Sequence, residues 1–305
     1  MKKRTKIILG IVAFLLVAIL SFAIYTVSTL NKITKVDLPK EDLGIDKEVQ
    51  AKIEDKKITN IVLFGIDQVG DNPGRSDSII IATFDETHNK LKLTSIMRDS
   101  YVNIPDRGYD KINHAYAFGR APLAIKTINQ NFGLNIDNYA KINFDNMEHL
   151  IDAIGGVKME IKDFEIPGVS SVGITKAGVY NLNGKQALAY SRIRKVDGDS
   201  ERTERQRNVL TAMFNKLSSV GPTELPSVMN KLLPYVETSL GNGDIINLGL
   251  KVLKSGIKNI EQERFPLENL SKGEKINGIY YLTFDEKSTK DQIYKYIFED
   301  IKPVQ

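Results

Sequence analysis

The chain of 305 residues has no cysteine. Disulfides, thiolate metal sites and a cysteine nucleophile are thereby excluded. Its three histidines, His88, His114 and His149, share no metal-ligand spacing. No G-x-x-x-x-G-K-[ST] loop and no G-x-S-x-G elbow occurs, which removes the familiar phosphate-loop and serine-hydrolase signatures. There is no internal repeat and no low-complexity stretch. Net charge is also missing from most of the chain. Residues 1–6 hold four of the 42 cations and no acid, which leaves 38 cations against 38 acids in the remainder. A neutral domain is a poor general binder of nucleic acid, so no such partner is expected.

A long apolar run is present instead. Ile7 to Tyr25 is 19 residues without a charge, close to the roughly 20 needed to cross a bilayer. It is longer than a signal-peptide core, and no small-residue cleavage site follows it. Lys2, Lys3, Arg4 and Lys6 favour a cytoplasmic N-terminus. The expected organisation is a cytoplasmic tail over 1–6, a signal anchor over 7–28, a stalk over 29–57 and an extracytoplasmic domain over 58–305. The stalk is polar and charge-rich with no sustained apolar face.

The domain opens on "TNIVLFGID", a short β-branched run that reads as a buried strand. "DSIIIATF" (77–84) and "LKLTSIM" (91–97), joined by "DETHNK", read as a hairpin. "INHAYAFGRAPLAIKTINQNFG" is a helix stopped by Gly133. Further strands are expected at "YAKINF", "VKMEI", 260–266 and 277–284. Further helices are expected at "DNMEHLIDAIGG", from Asn183, over "SERTERQRNVLTAMFNKLSS", and over 223–239, 243–256 and 285–300. Strands apolar on both faces need cover on both sides. The expected fold is a three-layer α/β/α arrangement with a mixed central sheet, preceded by one transmembrane helix.

Three stretches carry candidate chemistry. In "FGIDQVGDNPGRSDS", Asp67 ends a strand and Asp77 begins the next. Neighbouring strands would bring the two carboxylates to one end, beside Arg75. Two carboxylates suit Mg²⁺ when phosphates and waters complete its shell; an ordinary turn is the plainer alternative. In "SIMRDSYVNIP", Arg98 ends the third strand, and antiparallel pairing sends it toward Asp77; an ordinary strand-end ion pair is the equal alternative. In "YSRIRKVDGDSERTERQRN", five arginines accompany one lysine. Arg202, Arg205 and Gln206 are spaced i, i+3 and i+4 on one helical face. Several arginine forks near a helix N-terminus suit a pyrophosphate, and a salt-bridged solvent face is the rival. The apolar faces in 113–128 and 209–217 are either core or the walls of a lipid slot.

In order, "LFGID", "GRSDSIIIATF", "TSIMRDSYVNIP", "KINHAYAFG", "IDAIGGV", "LNGKQALAYSRIR" and "RTERQRNVL" resemble the LytR-CpsA-Psr family of bacterial cell-wall assembly proteins, over residues 59–218. The resemblance implies a phosphotransferase. It would move a teichoic acid or capsular polysaccharide from a polyprenyl pyrophosphate to a peptidoglycan sugar hydroxyl, that of N-acetylmuramic acid C6. By motif, Asp67 and Asp77 would hold Mg²⁺, or Mn²⁺ in its place, with Asp67, Asp77 and Arg98 as the catalytic set. Arg75, Arg98, Arg192, Arg194, Arg202 and Gln206 would hold the pyrophosphate, with Arg205 as a substitute for Arg202. The implied partners are the lipid-linked glycopolymer, peptidoglycan and the cytoplasmic membrane. Rival readings are a non-catalytic pyrophosphate-lipid binder, a membrane-bound regulator and a pyrophosphate hydrolase.

Overall fold

The computed structural model describes residues 28–68, 73–193, 199–221, 224–257 and 259–304. In chain order its elements begin with β1 (Thr34–Lys35), α1 (Lys47–Ile53), β2 (Ile58–Asp67), β3 (Arg75–Asp85), β4 (Lys90–Ile96), β5 (Tyr101–Ile104) and β6 (Gly108–Lys111). There follow α2 (Ile112–Phe132), β7 (Tyr139–Asn143), α3 (Phe144–Ala153), β8 (Val157–Ile161), α4 (Ile166–Val169), β9 (Gly178–Leu182), α5 (Gly184–Ser191) and α6 (Asp199–Ser218). The last are α7 (Leu225–Leu232), β10 (Glu237–Thr238), α8 (Asn242–Ser255), β11 (Ile260–Phe265), β12 (Ser271–Ile276), β13 (Ile279–Phe284) and α9 (Glu286–Phe298).

Seven strands form the central sheet, in the order β1-β10-β7-β2-β3-β4-β11. It is mixed: β2–β3 and β3–β4 are antiparallel, whereas β2–β7 and β4–β11 are parallel. Side chains alternate between faces along each strand, and here both faces are apolar. Val62, Phe64 and Ile66 join Ile79, Ile81 and Ile96 under α2 and α9, meeting Ile125, Ile128, Ile293 and Ile297. Across the sheet a second core gathers Ile151 and Ile154 of α3, Ala187 and Tyr190 of α5, and Val209 and Met213 of α6. Helices therefore cover both sides, as the doubly apolar strands require.

Three segments differ from the sequence-based expectation. Residues 29–57, expected as a stalk, lie on the domain: Leu30, Ile33, Leu43 and Ile53 are buried, and β1 pairs with β10. Their apolar residues are used singly, so no periodicity announces them. The helix expected over 223–239 ends at Leu232, because Pro234 lacks the N–H a continued helix needs. The strand expected over 277–284 is half of a hairpin. Asn277 and Gly278 both take positive φ in its two-residue turn, a favoured Asn-Gly hairpin connection. The expected membrane span, 7–28, lies outside the described residues except for Ser28. Among the described residues no helix is long and apolar enough to cross a membrane.

Candidate functional site

The site begins at the β2–β3 hairpin. Asp67 stands opposite Arg75 where the two strands end, and both are exposed. Gly74 closes the loop at φ +73°, where an added Cβ would lie 2.6 Å from the Asp67 carbonyl oxygen. Only glycine fits that approach. One step into the hairpin the register slips. Gly65 pairs with Ser78 and Ile66 with Ser76, which leaves Asp77 as the extra residue of a β-bulge. Bulges re-aim side chains, often beside active sites.

The re-aimed carboxylate is held from two sides. Arg98 Nη1, just beyond β4, donates to Asp77 Oδ2 at 2.9 Å. Asn113 Nδ2, in the first turn of α2, donates to Oδ1 at 3.2 Å. The charges continue outward: Arg98 Nε lies 3.6 Å from Asp99 Oδ2, and Lys111 Nζ lies 2.7 Å from Asp99 Oδ1. Each of these charged side chains is largely covered without being sealed, so each can still meet a ligand. Asn113 and Lys111 do not stand out in the sequence. The "KINHAYAFG" segment carries both, but an asparagine at the start of a helix usually signals only local capping.

From the other side, α6 delivers Arg202. This arginine is 1% exposed, and its Nη2 donates to the Asp77 backbone oxygen at 3.2 Å. Its neighbours on the helix have other tasks. Arg205 Nε binds Glu165 Oε1 at 2.8 Å and Nη1 binds the Ile193 carbonyl at 3.3 Å. Arg205, offered as a substitute for Arg202, is thus engaged by a buried glutamate. Arg207 Nη1 donates to Ser95 Oγ at 2.7 Å, and burial pulls its pKa below the ordinary arginine value. Arg192 caps the C-terminus of α5 and is exposed. Arg194 lies outside the described residues.

Beneath this cluster an apolar slot runs between the sheet and α6. Leu63, Ile80, Ala140 and Ile142 form one wall; Met147, Val209 and Leu210 form the other. Ser78, Ser191 and Gln206 add its polar atoms. The buried Gln206 Oε1 meets no hydrogen-bond partner among the described residues. The slot holds about 70 Å³, well below the roughly 300–1,000 Å³ of ligand pockets. As it stands the slot is too small for a long hydrocarbon. The 209–217 face thus contributes slot wall as well as core, whereas the 113–128 face is core. A larger hollow, about 820 Å³, lies across α6, between its outer face and β8.

A family model described as LytR_cpsA_psr family matches residues 20–297. The chain belongs to the LytR-CpsA-Psr family. Among its relatives, the polyisoprenyl-teichoic acid–peptidoglycan teichoic acid transferase TagU of Oceanobacillus iheyensis is 35% identical over 252 residues, covering 79% of this chain and 76% of the relative. Two solved structures share the fold of this LytR-CpsA-Psr chain. TagT bound to LIIa-WTA aligns with a TM-score of 0.69 at 27% identity, covering 87% of this chain and 98% of that one. TagT with bound octaprenyl pyrophosphate lipid aligns with a TM-score of 0.65 at 25% identity, covering 86% and 99%.

Proposed function

We propose that this protein is a phosphotransferase. It moves a glycopolymer of teichoic-acid or capsular type from a polyprenyl pyrophosphate to a sugar hydroxyl of peptidoglycan. The observation that carries this reading is one convergence. A carboxylate on a bulge, Arg98, Asn113 and the buried Arg202 meet above an apolar slot with polar atoms beside it. A diphosphate suits the charged half, and a hydrocarbon tail suits the apolar lining of the other half, which must widen to admit it. The family and its transferase relatives support the same reading.

Phosphoryl transfer asks the protein for position and charge stabilisation. The acceptor hydroxyl oxygen forms its bond to the sugar-proximal phosphorus. The bond from that phosphorus to the bridging oxygen breaks, and prenyl phosphate leaves with the electron pair. The hydroxyl proton passes to Asp67 or Asp77. Arg98 and Arg202, with Arg75, Arg192 and Arg194, bind the phosphate oxygens and spread the developing charge. A guanidinium has five N–H donors, so Arg98 keeps Asp77 while gripping phosphate. Gln206, a polar group of the slot, joins the arginines at the pyrophosphate.

Asp67 and Asp77 are the residues that would hold Mg²⁺ or Mn²⁺. Among the described residues no three acids or histidines cluster. Two carboxylates completed by phosphate oxygens are nevertheless a sufficient donor set for Mg²⁺. A carboxylate has about four acceptor sites, so Asp77 can meet an ion as well as its protein donors. The ion would supply charge neutralisation at the phosphates. The N-terminus is cytoplasmic, the apolar run crosses the cytoplasmic membrane, and the domain stands outside it. The anchor thereby keeps the site near lipid-borne donor.

The test is to incubate the full chain with prenyl-pyrophosphate-linked glycopolymer and peptidoglycan oligomers, and to measure prenyl phosphate. Release that requires the acceptor is the expected result, lost with EDTA and restored by Mg²⁺. No release would reduce the protein to a binder, and release without acceptor would make it a hydrolase.

A further inference from the structure

Helix α8 is built unlike the others. None of its residues is buried in the core. Its inner side, Ile245, Leu248 and Val252, is only half covered. Its outer side carries Ile246, Leu250 and Leu253, which are 37, 50 and 68% exposed. These positions are i, i+4 and i+7, one apolar line along the helix. Lys254 is exposed beside that line, and Lys251 flanks it while reaching Glu86 at 2.7 Å. Isolated exposed aliphatic residues are ordinary; an aligned row on an otherwise polar surface marks a contact.

We infer that the Ile246–Leu250–Leu253 face of α8 lies against the membrane, with its apolar row at the boundary of headgroups and acyl chains. The occupant follows from where α8 sits. Its first residue, Asn242, hydrogen-bonds Asn31 at 3.0 Å and also meets Lys35. Ile245 packs on Leu30, Ile33 and Leu233. The apolar run of the sequence ends at Tyr25, six residues before Asn31. Six residues span at most about 20 Å, so the start of α8 is held that close to the end of the run. An apolar row flanked by lysines suits an interface rich in anionic lipid. A second copy of the chain is a poorer occupant, since three aliphatic side chains fall far short of the roughly 800 Å² per partner that a stable interface buries.

The placement also orients the slot. Strand β10 pairs with β7, whose Ala140 and Ile142 line the slot, and then leads directly into α8. One short strand therefore separates the slot wall from the chain's entry into α8. A prenyl tail leaving the slot on that edge would head toward the lipid met by α8. The inference rests on the proposed anchor but not on the transfer chemistry.

The absence of cysteine makes single-cysteine labelling direct. Full-length Ile246→Cys, Leu250→Cys and Leu253→Cys are labelled with an environment-sensitive fluorophore and reconstituted into phosphatidylglycerol–phosphatidylcholine vesicles. Arg107→Cys, exposed in the β5–β6 turn, is the control. Labels on α8 are expected to be quenched by doxyl-labelled lipid and shielded from iodide several-fold more than the Arg107→Cys label. Protein that floats with vesicles while its α8 labels stay open to iodide overturns this inference alone. Labels shielded from iodide but not quenched by doxyl lipid also overturn it, in favour of a protein partner. Protein that does not float with vesicles overturns the anchor along with it. A Leu250→Ser/Leu253→Ser variant should lose several-fold of its turnover on vesicle-borne donor and none on detergent-dispersed donor. Equal loss on both would assign the row to folding and overturn its role at the membrane.

Discussion

Two sets of arginines meet at helix α6, and they differ in what faces them. Arg98 reaches the Asp77 carboxylate and Arg202 the Asp77 backbone oxygen, at a bulged strand end next to Ser78 and Gln206 of the slot. Arg205 and Arg207 are held by scaffold groups: Glu165 and the Ile193 carbonyl hold the first, at the wall of the hollow beside β8, and Ser95 and Gln262 the second. Burial does not separate the two sets, since Arg202 is as enclosed as Arg205. Partnership does. A guanidinium bound to a buried glutamate is part of the scaffold. Two guanidiniums converging on one strand-end aspartate, one on its carboxylate and one on its backbone oxygen, make a cationic cluster suited to a phosphate. The difference teaches that a run of arginines is read by its acceptors, not by its density.

The comparison can be broken most sharply at its functional half. Arg98→Ala should lower transfer by about 10²–10³-fold, the usual loss for one donor to developing charge, while the melting temperature stays near wild type. A collapse in stability instead would move Arg98 into the scaffold set. The opposite pattern is expected for Arg205→Ala, which strands Glu165 as an unpaired buried charge. Removing one partner of such a pair costs about 3–5 kcal/mol, and chemical denaturation checks it; retained stability with lost activity would erase the distinction. A smaller effect is expected from Ala140→Phe in the slot wall. It should weaken binding of a long-prenyl donor about tenfold, the order expected for overpacking by 1–3 kcal/mol, and leave a short-prenyl donor little changed. Equal loss for both donors would mean that the tail lies elsewhere.

The smallest effect concerns pH. Burial pushes the Tyr190 hydroxyl up to about 12, with the nearby Glu165 adding to the rise. An unfolded tyrosine ionises near 10. Its stabilising contribution is therefore complete below pH 10 and is lost as pH climbs toward 12. Melting temperature should fall over that window, and Tyr190→Phe should flatten the fall. An unchanged slope in the variant would show that Tyr190 does not share the scaffold environment of Arg205.

Much of this was legible in the sequence, and for a local reason. The β2–β3–β4 ladder is made by two short connections, so alternation and turn residues alone bring Asp67, Arg75, Asp77 and Arg98 to one end. The helix stop at Gly133 and the start at Asn183 are likewise local chemistry. What the sequence hid depends on distant partners. Arg202 and Arg205 are one turn apart and each follows a glutamate. Only the position of Glu165, 40 residues earlier in a 3₁₀ turn, decides which of them is taken. The bulge at Asp77 has no glycine or proline on its own strand; only Gly65, facing it at the register slip, marks it. β1 and β10 are two residues each, too short for any period to appear. The Asn277–Gly278 turn, by contrast, was a readable hairpin signal within the expected strand over 277–284.

The most direct measurement is a structure of the full chain with a prenyl pyrophosphate bound. Phosphate oxygens should lie within hydrogen-bond distance of Arg98 and Arg202 at the Asp77 bulge, with the tail between β7 and a displaced α6. A diphosphate seated instead in the hollow between α6 and β8, or a tail outside the slot, would contradict the assignment.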